Sequence, residues 1–295
     1  MSRPSAMPTQ LTLPVTVARE VSPSSAYAQR WRDRRQSFRG PGDTPFNPDG
    51  YHVALIPHLQ AKRWVETNHY TGTYPSVTLA YGLLYHGRLQ GVATLGVPGG
   101  PAVLPAVFPM LAPDEALELN RFVLADVVPR CGETWMLTRV FRHAARTGRR
   151  GIVAHSDPCA IRTPDGVETF PGHIGRIYQA RSACYLGRTK PRTVLVTPDG
   201  QVLDERALSK VRNGERGQDY VIRRLRQLGA PPVGRGESGA SWLTRALPMA
   251  GVFRLRRHGK HRYVFLIGTP TDRRVLRQQL RRLHPSPLAY PKTLC

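Results

Sequence analysis

Between Ser156 and Ala180 the sequence gathers an acid, an imidazole, a guanidinium and a phenol: Asp157, His173, Arg176 and Tyr178, with Gly172 and Gly175 among them. So many titratable and hydrogen-bonding groups directly after an apolar run are what a site needs and a packed core avoids. The run Gly151-Ile152-Val153-Ala154-His155 reads as a strand, and α/β sheets present site residues where strands end. There Asp157 can act as general base, metal ligand or acceptor for an amine. The competing reading is a turn aspartate that caps its own backbone.

Three other clusters have the residue types for chemistry. In His69-Tyr70-Thr71-Gly72-Thr73-Tyr74-Pro75, Tyr70 or Tyr74 can stack on a base while His69 binds a metal or moves a proton; otherwise it is a structured loop. In the strand-like run Glu118-Leu119-Asn120-Arg121, alternation puts Arg121 on the face of Leu119, opposite Glu118 and Asn120. A guanidinium there must snorkel, meet an anion or sit in a buried ion pair. Gly132-Glu133-Thr134 opens a helix, where Glu133 or Thr134 lies near N–H groups that hold an anion, or simply caps the turn.

These residues must be positioned by interleaved strands and helices. Strands are expected over residues 51–56, 77–85, 91–96, 118–124, 151–155 and 193–196, and helices over 58–66, 134–147 and 178–185. That pattern implies one mixed sheet with helices packed on it. Residues 1–48, rich in Ser, Pro, Thr and Arg, read as a flexible basic arm with at most a short helix at Arg30–Arg35; the catalytic core spans 49–200. A basic helical hairpin follows over 201–230. Residues 231–295 then form an arginine-rich appendage: a linker over 230–241, a hairpin turning at His258-Gly259-Lys260, and a helix over 271–283 capped by Thr271.

The net charge is +23, from 43 Lys and Arg against 20 Asp and Glu, mostly through arginine. Neutralising phosphates releases counterions and supplies affinity without sequence readout, so a polyanion, above all DNA, is the expected partner. Genomic bias toward arginine codons is the competing explanation, but it leaves the shortage of acids unexplained. Arg176, Arg254, Arg256, Arg257, Lys260, Arg262, Arg273 and Arg277 are the expected backbone contacts. The four cysteines show no zinc spacing and read as free thiols in a reducing compartment. No apolar stretch reaches the length of a membrane span, which implies no membrane partner and a soluble protein of the cytoplasm. Walker A, dinucleotide-binding, HExxH, nucleophile-elbow and zinc-deaminase patterns are all missing.

As an ordered set over roughly residues 51–200, these clusters, with Tyr185-Leu186-Gly187, resemble the Mom-type DNA-modification proteins of bacteriophages. The resemblance implies a fold related to the GCN5-type N-acetyltransferases (GNAT): an α/β (α+β) mixed sheet flanked by helices, with the basic hairpin and a ββα-like appendage added. It implies conversion of adenine in DNA to an N6-carbamoylmethyl derivative that shields phage DNA from host restriction. The family's essential residues map onto His69, Tyr70, Arg121, Asp157 and Tyr178, which makes His69, Tyr70, Asp157 and Tyr178 the catalytic candidates. A serine carried by some members falls near Thr134, so Arg121 and Thr134 become the expected cofactor contacts. The acetyltransferase pyrophosphate loop is missing. An acetyl-CoA-like donor and a divalent metal on His69, Tyr70 and Asp157 both stay open. The alternatives are an N-acetyltransferase acting on a protein or small molecule and a non-catalytic DNA-binding protein.

Overall fold

The computed structural model describes residues 28–32, 35–39, 44–286 and 288–295. In chain order the first elements are β1 (Ala28–Arg32), β2 (Arg35–Arg39), β3 (Tyr51–Leu55), α1 (His58–Asn68), β4 (Leu79–Tyr85), β5 (Arg88–Gly96), α2 (Val103–Val107) and β6 (Ala116–Leu124). Next come α3 (Gly132–Arg146), β7 (Gly151–Ser156), β8 (Ile161–Arg162), β9 (Glu168–Phe170), α4 (Arg176–Ala180), β10 (Cys184–Arg188), β11 (Arg192–Val196) and β12 (Val202–Leu203). The last are α5 (Glu205–Arg212), α6 (Asp219–Gln227), α7 (Gly239–Met249), β13 (Phe253–Arg257), β14 (His261–Leu266) and α8 (Pro270–Leu283).

Seven strands form the main sheet, in the order β10-β14-β7-β6-β5-β4-β3. It is mixed, as expected: β6 and β7 run parallel and the other neighbours antiparallel. Two strands so joined need a crossover, and α3 supplies it. Its apolar residues recur at helical spacing (Met136, Leu137, Val140, Phe141, Ala144), and that stripe closes one face of the sheet. On the other face α1 buries Ala61 and Val65 against Ala80, Val92 and Val123, and α2 and α8 cover Val153 and Val264. The β6–β7 pairing ends at Leu119 and Ala154, so the chain beyond both positions is free to part and form a cleft.

Several expected elements are corrected. Residues 253–266 are not a hairpin: β13 pairs with β11 in a three-stranded sheet, whereas β14 lies between β10 and β7. Side-chain pattern explains the split. Strand β13 exposes Arg254 and Arg256 and turns Phe253 and Leu255 inward, which suits a sheet with one wet face; β14 buries Tyr263, Val264 and Phe265 in succession, as a central strand must. Residues 231–295 are therefore not an appendage, since they supply a central strand of the sheet that holds the site. The helix expected over 178–185 is the shorter α4, which ends at Ala180, and residues 184 and 185 already belong to β10. The expected linker runs into α7, whose fully buried Trp242 packs with α5 and α6 around a second small core. The cap of α8 is Thr269, in a capping box with Asp272, rather than Thr271.

Most of the expected N-terminal arm lies outside the described residues. Where Arg30–Arg35 suggested a helix, β1 and β2 form an antiparallel pair. Arg30 is buried: it bonds Glu133 at 2.6 Å and donates to the carbonyls of Ala125, Val128 and Pro129 ahead of α3.

Candidate active site

Arg121 is aimed by an irregularity in β6. Thr94 pairs with Arg121 and Leu95 with Leu119, which leaves Asn120 as the extra residue of a β-bulge. Leu119 belongs to the α3-side core and Phe122, three residues on, packs against the same core, whereas Val123 lies on the α1 side. The alternation slips by one at Asn120, so Arg121 joins Glu118 on the α1 side. This corrects the expectation that it shares a face with Leu119. Its guanidinium donates to the carbonyl and the hydroxyl of Thr73, both at 2.9 Å, and to the Asn120 carbonyl at 2.6 Å. The loop of residues 69–75 is thereby tied over the end of β6.

At the start of that loop, just past α1, His69 is buried and accepts at Nδ1 from the Thr71 N–H at 3.2 Å, which puts its proton on Nε2. Burial, reinforced by Arg121, holds its pKa well below the usual histidine value. Tyr70 stacks on Phe170 with centroids 4.5 Å apart, and its hydroxyl lies 3.4 Å from His173 Nε2. Burial pushes this phenol up to about 12 and takes His173 down to about 4, so both are neutral near pH 7.

Asp157 follows β7 as expected. Its Oδ1 accepts from the Cys159 N–H at 3.2 Å and from Arg257 at 2.6 Å, so it closes a turn and forms an ion pair at once. Arg257 also donates to the carbonyls of Cys159 and Ala160 and is 6% exposed. It is thus a buried partner of Asp157, which corrects its assignment as a DNA contact. The His173 N–H donates to the Asp157 carbonyl at 2.8 Å, and two glycines permit that approach. Gly172 has φ +84° and a Cβ would fall 2.5 Å from the Pro158 carbonyl; Gly175 has φ +69° with Tyr178 and Tyr263 pressed against it. Tyr178 is buried beside Tyr263, and burial together with Tyr70 raises its pKa.

Lys260 was expected on DNA but faces this cleft. It keeps accessible surface while protein closes around it, and that desolvation lowers its pKa against the opposing pull of Asp157 and Glu118. One pair escaped the sequence reading: His155 on β7 and Glu118 on β6, with Nδ1 2.8 Å from Oε1. Both residues stand in the sequence clusters, but they are 37 positions apart and only the parallel pairing of β6 with β7 joins them.

The residues implied for a metal do not assemble as a donor set. Asp157 is engaged by Arg257, His69 Nδ1 by Thr71, and among the described residues no three His, Cys, Asp or Glu side chains gather as ligands. A carrier diphosphate is likewise poorly matched at the start of α3, where the carboxylate of Glu133 already sits in the first turn and Arg30 holds the preceding carbonyls. The Thr134 hydroxyl donates to the Cys131 carbonyl at 3.0 Å, a bond within the first turn, and α3 has no side-chain cap.

Of the other expected DNA contacts, Arg254, Arg256, Arg273 and Arg277 are exposed, Arg176 partly so, and Arg262 buries its Nε without an acceptor. Cys159 and Cys295 form a disulfide, correcting the expectation of four free thiols. The Cys295 N–H reaches the Pro158 carbonyl at 3.2 Å and so brings the two sulfurs together beside Asp157. Among the described residues no helix is long and apolar enough to cross a membrane.

No curated protein matches the chain. Among solved structures it is similar to a GNAT family acetyltransferase from Elizabethkingia anophelis with acetyl-CoA bound, at 10% identity and a TM-score of 0.32, covering 74% of this chain and 99% of that one. It is also similar to a tandem GNAT protein from the clavulanic acid biosynthesis pathway, at 11% identity and a TM-score of 0.32, covering 74% and 75% respectively. The family model of the Mom protein family matches residues 50–292, a span that takes in every residue of the cleft and the strand β14 behind it, and the chain therefore belongs to the Mom protein family.

Proposed function

We propose that this protein is a DNA-modifying transferase that attaches a carbamoylmethyl-type group to N6 of adenine in phage DNA, within the host cytoplasm, and so protects that DNA from restriction. The observation that carries the reading is convergence. His69 and Tyr70, Glu118 and Arg121, His155 and Asp157, His173 and Tyr178, and Lys260 come from five separate stretches of sequence. The charges of Asp157, Glu118, Arg121 and Lys260 lie close enough to act on one another and on the neutral Tyr70 phenol near the parting of β6 and β7.

Adenine N6 is conjugated with its ring and is a weak nucleophile. A catalyst must fix its lone pair on the electrophilic carbon and accept its proton as the N–C bond forms. In duplex DNA the base must first leave the stack. Tyr70 is kept neutral and its ring lies between His69, with centroids 4.2 Å apart, and Phe170, at 4.5 Å, so it offers its hydroxyl rather than a stacking face. Asp157, held by Arg257, is placed to accept a hydrogen bond from the amine. His155, oriented through Nδ1 by Glu118, keeps Nε2 for the proton. Arg121 and Lys260 supply positive charge for an anionic donor or leaving group. Exposed arginines such as Arg254 and Arg256 are then suited to the DNA backbone, giving affinity rather than sequence choice.

Nucleoside mass spectrometry of DNA from cells expressing the protein is the test. The expected result is an adenine nucleoside heavier by the added group, falling at least ~100-fold in Asp157→Asn and His155→Gln variants that remain folded. Unmodified adenine in cells that hold soluble wild-type protein overturns the reading.

A further inference from the structure

Apart from the tyrosine–histidine cleft, a cavity of about 510 Å³ opens between α3 and α8, floored by the last residues of β14. Four arginines from three parts of the fold line it: Arg142 on α3, Arg181 just after α4, and Arg273 and Arg277 on α8. No Asp or Glu is among the lining residues. Some arginines elsewhere are matched to acids: Arg150 pairs with Asp272, Arg206 with Glu215, Arg224 with Asp199 and Arg245 with Glu237. None of the four cavity arginines has such a partner among the described residues, and the Nε of Arg181 is buried with no acceptor.

Like charges collected in a concave site repel one another, and a buried donor without an acceptor costs stability. An anion relieves both penalties. Guanidinium groups present paired N–H donors that match phosphate oxygens. The remaining lining is partly apolar, including Phe141, Ala145, Val264 and Ile267, so a bare ion leaves much of the cavity unused. Its volume falls within the range of small-molecule sites. We propose that this cavity binds a nucleotide through its phosphate, either free or as one unit of a polynucleotide chain, at a site separate from the reaction cleft. A second cavity shares Thr138 and Arg181 with it and gives a chain-like ligand a path along α3.

The full chain is titrated with ADP by calorimetry and with a fluorescein-labelled oligothymidylate by anisotropy. The wild type is compared with an Arg142→Gln/Arg277→Gln double variant and with an Arg223→Gln/Arg226→Gln control of equal charge on α6. All four side chains are exposed, so melting temperatures should stay together. The expected result is an affinity loss of at least about tenfold in the cavity variant and a much smaller loss in the control. A loss for ADP alone identifies a free nucleotide as the ligand. A loss for the oligonucleotide, with ADP competing, identifies a nucleotide within a chain. Bound ADP should also slow alkylation of Cys184, which lines this cavity, and spare Cys131, which lines the other. Wild-type protein that binds neither probe, or equal losses in cavity variant and control, overturns the proposal. The result does not depend on whether adenine is modified.

Discussion

At the scale of single residues, the decisive contact is the one between Asp157 and Arg257. As a group on a basic strand, Arg257 reads as a phosphate contact; as the buried partner of Asp157, it fixes the position of the carboxylate at the cleft. Replacing it by alanine should leave a half-buried carboxylate unpaired and two carbonyls without a donor. The expected cost is about 3 to 5 kcal/mol of folding stability, read from the urea midpoint. Arg254→Ala, two residues away and exposed, should stay within about 0.5 kcal/mol of wild type. If Arg257 instead served DNA, its loss would spare stability and flatten the salt dependence of binding. The bulge at Asn120 teaches the same lesson. Strict alternation placed Arg121 beside Leu119, and one unpaired residue turned it to the other face, where it meets Thr73.

At the scale of elements, β14 decides how the C-terminal third is understood. Its residues Tyr263, Val264 and Phe265 contribute to the cores on both faces of the sheet, and its backbone bonds β10 on one side and β7 on the other. A chain ending at residue 233 loses that strand, and β7, which carries His155 and leads into Asp157, gains a bare edge. Such a truncation should lose its cooperative thermal transition and near-UV circular dichroism. A truncated chain that melts cooperatively near the wild-type temperature would restore the appendage view. The helices after residue 200 behave differently, because α5, α6 and α7 enclose a core of their own around Trp242.

At the scale of the whole molecule, the pH response is governed by imidazoles that the fold removes from water. Burial holds His69, His173 and His261 below the ordinary histidine value of about 6.5, the latter two at about 4. The unfolded chain takes up these protons first, so the stabilisation is complete above about pH 6.5 and is lost as pH falls toward 4. Each such histidine contributes a slope of about 1.4 kcal/mol per pH unit inside that window. Melting temperature should therefore fall steadily from pH 7 to pH 5, and His261→Gln should flatten the fall. A melting temperature that is level over this range would show that the histidines are protonated in the fold.

Much of this was open to reading in the chain. Apolar alternation set out β3 to β7, helical spacing set out α1 and α3, and residue chemistry pointed to His69, Tyr70, Arg121, Asp157 and Tyr178 because such groups are costly to bury without a purpose. By itself the sequence determined the local elements, the strongly cationic surface and most of the side chains in the cleft, since periodicity, charge and residue type are local properties. Tertiary structure alone decided that β13 and β14 part into different sheets, that Arg257 turns inward to Asp157, that Glu118 meets His155 and that Cys159 meets Cys295. These partners stand from 37 to 136 positions apart in the chain. Which distant groups meet depends on strand order and on burial against the far side of a core, and no window of neighbouring residues contains that information.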